Sequence, residues 1–234
     1  MNLKFKNRIA LIGRMGSGKS EIAKHFVNSL NFKRVALGDA LKEEIVNYGL
    51  IPGSIIEKSR DRKTLQDWGQ HRRGEKERFV FKSKLFHNKN KVSDGVTNYI
   101  NYQGKKLSLV TYNVDSYNMI SKSFGECYLD YWIDLLMPNV KKLIAQGNYV
   151  INDDIRRQNE LDAFKYMGFT TVKISVENDI RYKRLKIRDN QSDFDESIMN
   201  DISENEIDSL IADFDISNNG TIEETLSTLY QYIM

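Results

Sequence analysis

Apolar residues in this chain gather into short runs, separated by longer stretches in which they recur every three or four positions. The runs are Ile9-Ala-Leu-Ile12, Lys33-Arg-Val-Ala-Leu37, Tyr149-Val-Ile-Asn-Asp-Asp154, Thr171-Val-Lys-Ile-Ser-Val176 and Ala212-Asp-Phe-Asp-Ile216. Each has the length and character of a strand. Between the first two, Ile22, Ala23, Phe26, Val27 and Leu30 fall on one helical stripe, which predicts a helix over 19–30 with His25 off the stripe and facing solvent. The same periodicity predicts helices over 41–48, 128–145 and 159–167, with Leu129 and Trp132 on the stripe of the second and Pro138 kinking or dividing it. A last helix over 221–233 opens with Thr221 and Glu224 spaced as a capping box. Strands alternating with helices predict an open parallel sheet with helices on both faces and ligands beyond the carboxyl ends of the strands.

One stretch departs from this rhythm. Residues 79–125 are rich in lysine and aromatics, and two β-rich runs, 96–102 and 105–114, flank Gln103-Gly104 as a hairpin would. The chain therefore reads as a single domain over 1–234 carrying an inserted hairpin subdomain at 79–125. That insertion could bind single-stranded nucleic acid, cover a substrate pocket, form a dimer surface, or be a small packed hairpin with a lysine-rich outer face.

Composition narrows the class. Of 234 residues, 40% are hydrophobic, enough for a core, and 35 basic against 32 acidic residues leave a net charge of +3, which does not mark a nucleic-acid binder. A single cysteine, Cys127, excludes an intramolecular disulfide and a cysteine-based zinc site. The N-terminal MNLKFKNR lacks the pattern of a signal peptide, and no stretch is long and apolar enough for a membrane span. A cytoplasmic protein with no membrane partner is expected.

The chemistry starts where the first strand meets the first helix. Gly13-Arg14-Met15-Gly16-Ser17-Gly18-Lys19-Ser20 matches G-x-x-x-x-G-K-[ST] in the strand-turn-helix context that gives the pattern meaning. Glycines let successive backbone N–H groups converge on a phosphate at the positive end of a helix. Lys19 would reach the β- and γ-phosphates of ATP, and the Ser20 hydroxyl would be a ligand of phosphate-bound Mg²⁺.

Other candidates lie at strand ends or in the helices that follow. Asp39 reads either as an N-cap or as an acidic group facing Mg²⁺ or substrate. In the arginine-rich stretch 59–78, Arg62 and Gln66 are one helical turn apart, with Arg72 or Arg73 further along. Guanidinium forks suit a phosphate and an amide suits a base edge, so this is equipment for a nucleotide monophosphate. Asp153 and Asp154 close a hydrophobic strand, and the pleat lets Asp154 and Arg156, but not both aspartates, face one site. Arg181, Arg184 and Arg188 share a helical face, as a lid over 177–195 closing on a triphosphate would require. The acidic stretch 189–208 reads as a solvated loop and helix.

D-R-K-T-L-Q-D-W-G at 61–69, D-I-R-R-Q-N-E at 154–160, S-E-N-E at 203–206 and N-N-G-T at 218–221 together resemble the deoxynucleoside monophosphate kinases of bacteriophages, members of the adenylate-kinase-like nucleotide kinases. The resemblance implies a P-loop NTPase three-layer sandwich with strand order 2-3-1-4-5. It implies phosphoryl transfer from ATP to a dNMP, in the service of nucleotide supply for DNA synthesis. By the same resemblance Arg62 and Gln66 hold the acceptor's phosphate and base, Asp154 lies near Mg²⁺ and Arg156 contacts the acceptor phosphate. Arg184 and Arg188 are then lid arginines, and Asn218 and Asn219 belong to the donor site. Two departures, the long insertion and the doublet Arg72-Arg73, leave open the substrate range, a possible homodimer and which arginine binds substrate. Rival readings are another small-metabolite kinase acting on dephospho-coenzyme A or phosphomevalonate, a nucleic-acid-dependent ATPase or polynucleotide kinase, and a non-catalytic nucleotide-binding module.

Overall fold

A computed structural model describes residues 6–47, 56, 58–75, 79–82, 96–102, 105–111, 117–120, 128–189 and 202–233. The Gln103-Gly104 loop, Cys127 and the expected lid beyond residue 189 lie outside these. The chain divides into two compact units, Met1–Leu37 with Ile133–Met234, and Gly38–Trp132.

The first unit is built on a five-stranded, all-parallel sheet. Its strands are β1 (Arg8–Ile12), β2 (Lys33–Val35), β7 (Val150–Ile155), β8 (Thr170–Ser175) and β9 (Phe214–Ser217), in the order β2-β7-β1-β8-β9. Numbered among themselves, these strands run 2-3-1-4-5, the expected order. Ile9, Ala10, Leu11 and Ile12 have no exposed surface, so β1 is covered on both faces, as its unbroken apolar run predicts. Helices α1 (Lys19–Leu30) and α8 (Ile222–Ile233) supply Ile22, Ala23, Phe26, Leu226, Leu229 and Ile233 to the core formed with Ile9, Leu11, Ile151, Val172, Ile174 and Ile216. Phe26 meets Phe32 edge to face, with ring centroids 5.1 Å apart. The capping box of α8 forms as expected: Thr221 N–H donates to Glu224 Oε2 (2.9 Å) and Glu224 N–H to Thr221 Oγ1 (3.2 Å).

Helices α5 (Gln158–Tyr166) and α6 (Asn178–Asp189), the four-residue α7 (Ile202–Asn205) and a 3-10 turn at Glu206–Ser209 complete the connections. Helix α4 (Tyr131–Ala145) runs unbroken through Pro138, burying Trp132, Ile133, Leu136 and Val140. Leu129 precedes that helix instead of joining its stripe and is 52% exposed. His25 does not face solvent but is half-buried, its Nε2 2.5 Å from the Tyr230 hydroxyl.

The second unit contains α3 (Lys58–Arg72) and a four-stranded antiparallel sheet ordered β3-β6-β5-β4, with β3 (Phe79–Lys82), β4 (Val96–Tyr102), β5 (Lys105–Thr111) and β6 (Tyr117–Ile120). β4 and β5 are the expected hairpin, pairing Tyr102 with Lys105 at its closed end. β3 and β6 enlarge it into a sheet, because a lone two-stranded ribbon has little face to bury. Helix α2 (Leu37–Asn47) begins four residues earlier than its periodicity predicts. The Leu37 N–H donates to Asp154 Oδ1 at 3.2 Å, a cap from the end of β7 that no local pattern announces. Asp39 is consequently not an N-cap but a first-turn residue, exposed and paired with Lys42 at 2.8 Å.

Candidate nucleotide-phosphate site

The loop between β1 and α1 is shaped by close approaches that only glycine allows. A Cβ on Gly13 would lie 2.5 Å from the Ile174 carbonyl oxygen, and one on Gly18 would meet the Asn218 amide nitrogen, at a backbone φ of +93°. Gly16, at φ +83°, packs under Arg181 and Leu185 of α6. The Ser17 N–H donates to the Arg14 carbonyl (3.1 Å), closing the turn. Gly18 stands before α1 with no side chain capping it, which leaves the first N–H groups of the helix for a ligand. Lys19 folds back over this turn, its Nζ donating to the carbonyls of Gly13 and Arg14 (2.9 Å for the latter) and to Ser17 Oγ (3.2 Å). Only 8% exposed, its ammonium is pulled down to about 8, first by burial and then by Arg156, against the opposing pull of Glu204, Asp153 and Asp154. Ser20 follows on the exposed side of α1.

The carboxyl end of β7 supplies the other charges. Asp153 is buried and ion-paired with Arg34 of β2 (2.8 Å), while the half-buried Asp154 accepts from the Asn152 amide (2.8 Å) as well as from Leu37 N–H, so the two aspartates have different partners although both act on Lys19. Arg156 is held by Glu160 at its backbone N–H (2.8 Å) and by Glu204 at its guanidinium, and Glu204 keeps it firmly protonated. Glu204 also accepts the Met15 N–H of the loop at 2.8 Å. Arg14 makes a two-pronged pair with Asp208 (2.9 and 2.5 Å), which raises the arginine and lowers the aspartate. The 202–209 segment is only partly the solvated stretch its composition predicts: Asn205, Asp208 and Ser209 are exposed, but Glu204 has no exposed surface and grips the loop. Sequence reasoning passed over Glu204 and Asp208, although the S-E-N-E run was a signal for the first.

The α6 arginines share a helix but not an environment. Arg181 is buried, its Nη2 donating to Asn178 Oδ1 (3.0 Å), its Nη1 3.5 Å from the Met15 carbonyl and its Nε without a hydrogen-bond partner. Arg184 reaches the Gly220 carbonyl (3.1 Å), and Arg188 is exposed. A cleft of about 200 Å³ opens beside the loop, lined among others by Gly13, Arg14, Ser17, Ser175, Arg181 and Asp208. The Asn218 amide donates to the Ser17 carbonyl (2.8 Å) and accepts from Thr225 Oγ1 (2.8 Å). Asn219 both accepts from and donates to Glu177, each at 2.9 Å, tying the end of β9 to the start of α6.

The remaining candidates belong to the second unit. Arg62 and Gln66 are half-buried on α3, one turn apart. Arg72 is 3% exposed, pairs through Nε with Glu44 Oε1 (3.1 Å) and lies 3.8 Å from the Tyr131 ring centroid. The Tyr131 hydroxyl donates to the same Glu44 oxygen (3.1 Å), and burial pushes its pKa up to about 12. Arg73, its neighbour, is half-buried.

Among the described residues no group of three or more His, Cys, Asp or Glu side chains could hold a metal ion. Ser20 is exposed at the start of α1, and Asp154 Oδ1 accepts from the Leu37 N–H and the Asn152 amide. No helix among the described residues is long and apolar enough to cross a membrane.

The five-stranded parallel sheet in the order 2-3-1-4-5, with its glycine-rich loop between first strand and first helix, is an α/β fold consistent with a P-loop NTPase. No protein-family model matches the chain, and no curated protein matches it by sequence. A crystal structure of TT1252 from Thermus thermophilus aligns with 96% of this chain and 94% of its own, at 14% identity and a TM-score of 0.42, a likeness too loose to bear on activity.

Proposed function

We propose that the chain is a nucleotide kinase that transfers the γ-phosphoryl group of ATP to a deoxynucleoside monophosphate, giving ADP and a dNDP. The observation that carries this reading is Lys19, a buried ammonium folded onto a glycine-rich strand-to-helix loop, with Arg156, Glu204, Asp153 and Asp154 acting on it electrostatically. In this reading Lys19 exchanges loop carbonyls for phosphate oxygens, while Arg156, Arg184 and Arg188 balance the charge that spreads over the moving group. Ser20 and Asp154 would hold Mg²⁺, which when bound neutralises phosphate charge. Arg62, Gln66 and one of Arg72 and Arg73 would take the acceptor. The acceptor phosphate is already a nucleophile, so the reaction asks for positioning and charge balance, with no base and no covalent intermediate.

The test is ADP formation from ATP and Mg²⁺ against all common dNMPs and NMPs, dephospho-coenzyme A, phosphomevalonate and single-stranded oligonucleotides. ADP formation that depends on a dNMP is the expected result. Turnover with a non-nucleotide acceptor alone would move the chain to another metabolite kinase, and oligonucleotide-stimulated hydrolysis to a nucleic-acid-dependent ATPase.

A further inference from the structure

We propose that Glu204 is a positioning residue that ties the donor loop to the arginine serving the acceptor phosphate, so that Met15 and Arg156 are held at one fixed spacing by a single carboxylate. The proposal rests on the kinase reading above for the roles of loop and arginine, but not for the contact itself. A carboxylate with no exposed surface must have both oxygens engaged, and here they serve different partners. Oε2 accepts the Met15 N–H at 2.8 Å, in the turn between Gly13 and Gly16, and Oε1 accepts from Arg156 Nη1, on the first residue past β7.

The segment that carries Glu204 is anchored by its two other carboxylates. Glu206 takes Arg157 Nη1 (3.0 Å) and Gln158 N–H (3.1 Å), and Asp208 takes Arg14. The backbone of Arg156 is fixed independently by Glu160. What remains to be set is the direction of the guanidinium, and among the described residues its one hydrogen bond is to Glu204. The side chain is 34% exposed, so the rest of its five-donor fork is available to a phosphate. A ligand that shifts the loop at Met15 therefore shifts Glu204, and through it Arg156.

The experiment compares wild type with Glu204→Gln, which keeps an acceptor for Met15 but loses the ion pair, and Glu204→Ala, which loses both. In steady-state turnover of the dNMP that wild type prefers, kcat should fall about 10- to 100-fold in both variants while the KM for ATP stays within about threefold. Adding Glu204→Gln to Arg156→Lys should cost little beyond Arg156→Lys alone, since the two act as one unit. Unchanged kcat, or full additivity, would overturn the proposal. A second readout needs no turnover: in NMR spectra, adding MgADP should shift both the Met15 amide and the Arg156 Nε–H in wild type, but only the Met15 amide in Glu204→Gln. If no acceptor supports turnover, the kinase reading fails and this spectroscopic coupling decides the role of Glu204 alone; an Arg156 response that survives the substitution, or is absent in wild type, would sink it.

Discussion

The Asn218 amide donates to the Ser17 carbonyl at 2.8 Å across 201 residues of sequence, and its nitrogen fills the space that a Cβ on Gly18 would need. The end of the last strand thus braces the phosphate loop from behind. Because Asn218 also accepts from Thr225 Oγ1, it couples the loop to α8. Asn218→Ala takes this donor from the buried Ser17 carbonyl, while Thr225 Oγ1 keeps the Thr221 carbonyl (3.0 Å), and should cost about 1–3 kcal/mol in urea unfolding. Gly18→Ala should be worse for nucleotide binding than for folding, since it forces a side chain at φ +93° into the brace itself. ADP titration of both variants checks the ordering.

Lys19 gives the loop a pH dependence. Its folded value of about 8 lies below the ordinary 10.5, so between these the unfolded chain binds the proton and the folded chain does not. Stability should therefore rise with pH across that window, with the burial penalty fully present below it. Ligand affinity should run the other way: a polyphosphate needs the charged ammonium, so binding above pH 8 takes up a proton and weakens by up to about tenfold per pH unit. Calorimetry of MgADP binding in buffers of different ionisation enthalpy reads the proton directly. Lys19→Met should lose the proton uptake and the turnover while keeping the fold.

Arg72 and Arg73 should separate cleanly. Arg72 is committed to Glu44 and to the rings of Tyr131 and Trp68, so Arg72→Ala takes the cation from a buried carboxylate that still has the Tyr131 hydroxyl, and should cost about 3–5 kcal/mol in chemical denaturation. Arg72→Lys should not rescue it, because an ammonium cannot both stack and pair in that geometry. Arg73→Ala should leave stability within about 0.5 kcal/mol and raise the KM for the dNMP.

The Arg14–Asp208 pair offers a contrast, being 24% and 63% exposed on its two side chains. Asp208→Asn should cost only about 0.2–1 kcal/mol, and less at high salt. The carboxylate's pKa is lowered, so its contribution is present above the ordinary carboxylate range and disappears as the pH falls through the depressed value. Acid titration of stability in wild type and Asp208→Asn measures the difference.

By itself the sequence determined the elements and the loop. Ile9–Ile12 as a buried strand, the helical stripe of α1, the Thr221–Glu224 cap and the glycines at 13, 16 and 18 are legible because each depends on residues within one or two turns of one another. The hairpin of β4 and β5 was legible for the same reason, whereas β3 and β6, whose pairing spans some forty residues, were not. Tertiary structure decided who holds the loop and which charges are buried. Asp154 capping α2, Glu204 gripping Met15 and Arg156, Asn218 bracing Ser17 and Arg72 sinking beside Glu44 are all contacts between segments distant in sequence. A charged run such as 202–208 looks solvated on composition alone, and the arrival of Met15 and Arg156 beside Glu204 makes burial of that one carboxylate affordable, because it then meets an opposite charge and a backbone donor, while Asp208 pairs with Arg14 at the surface.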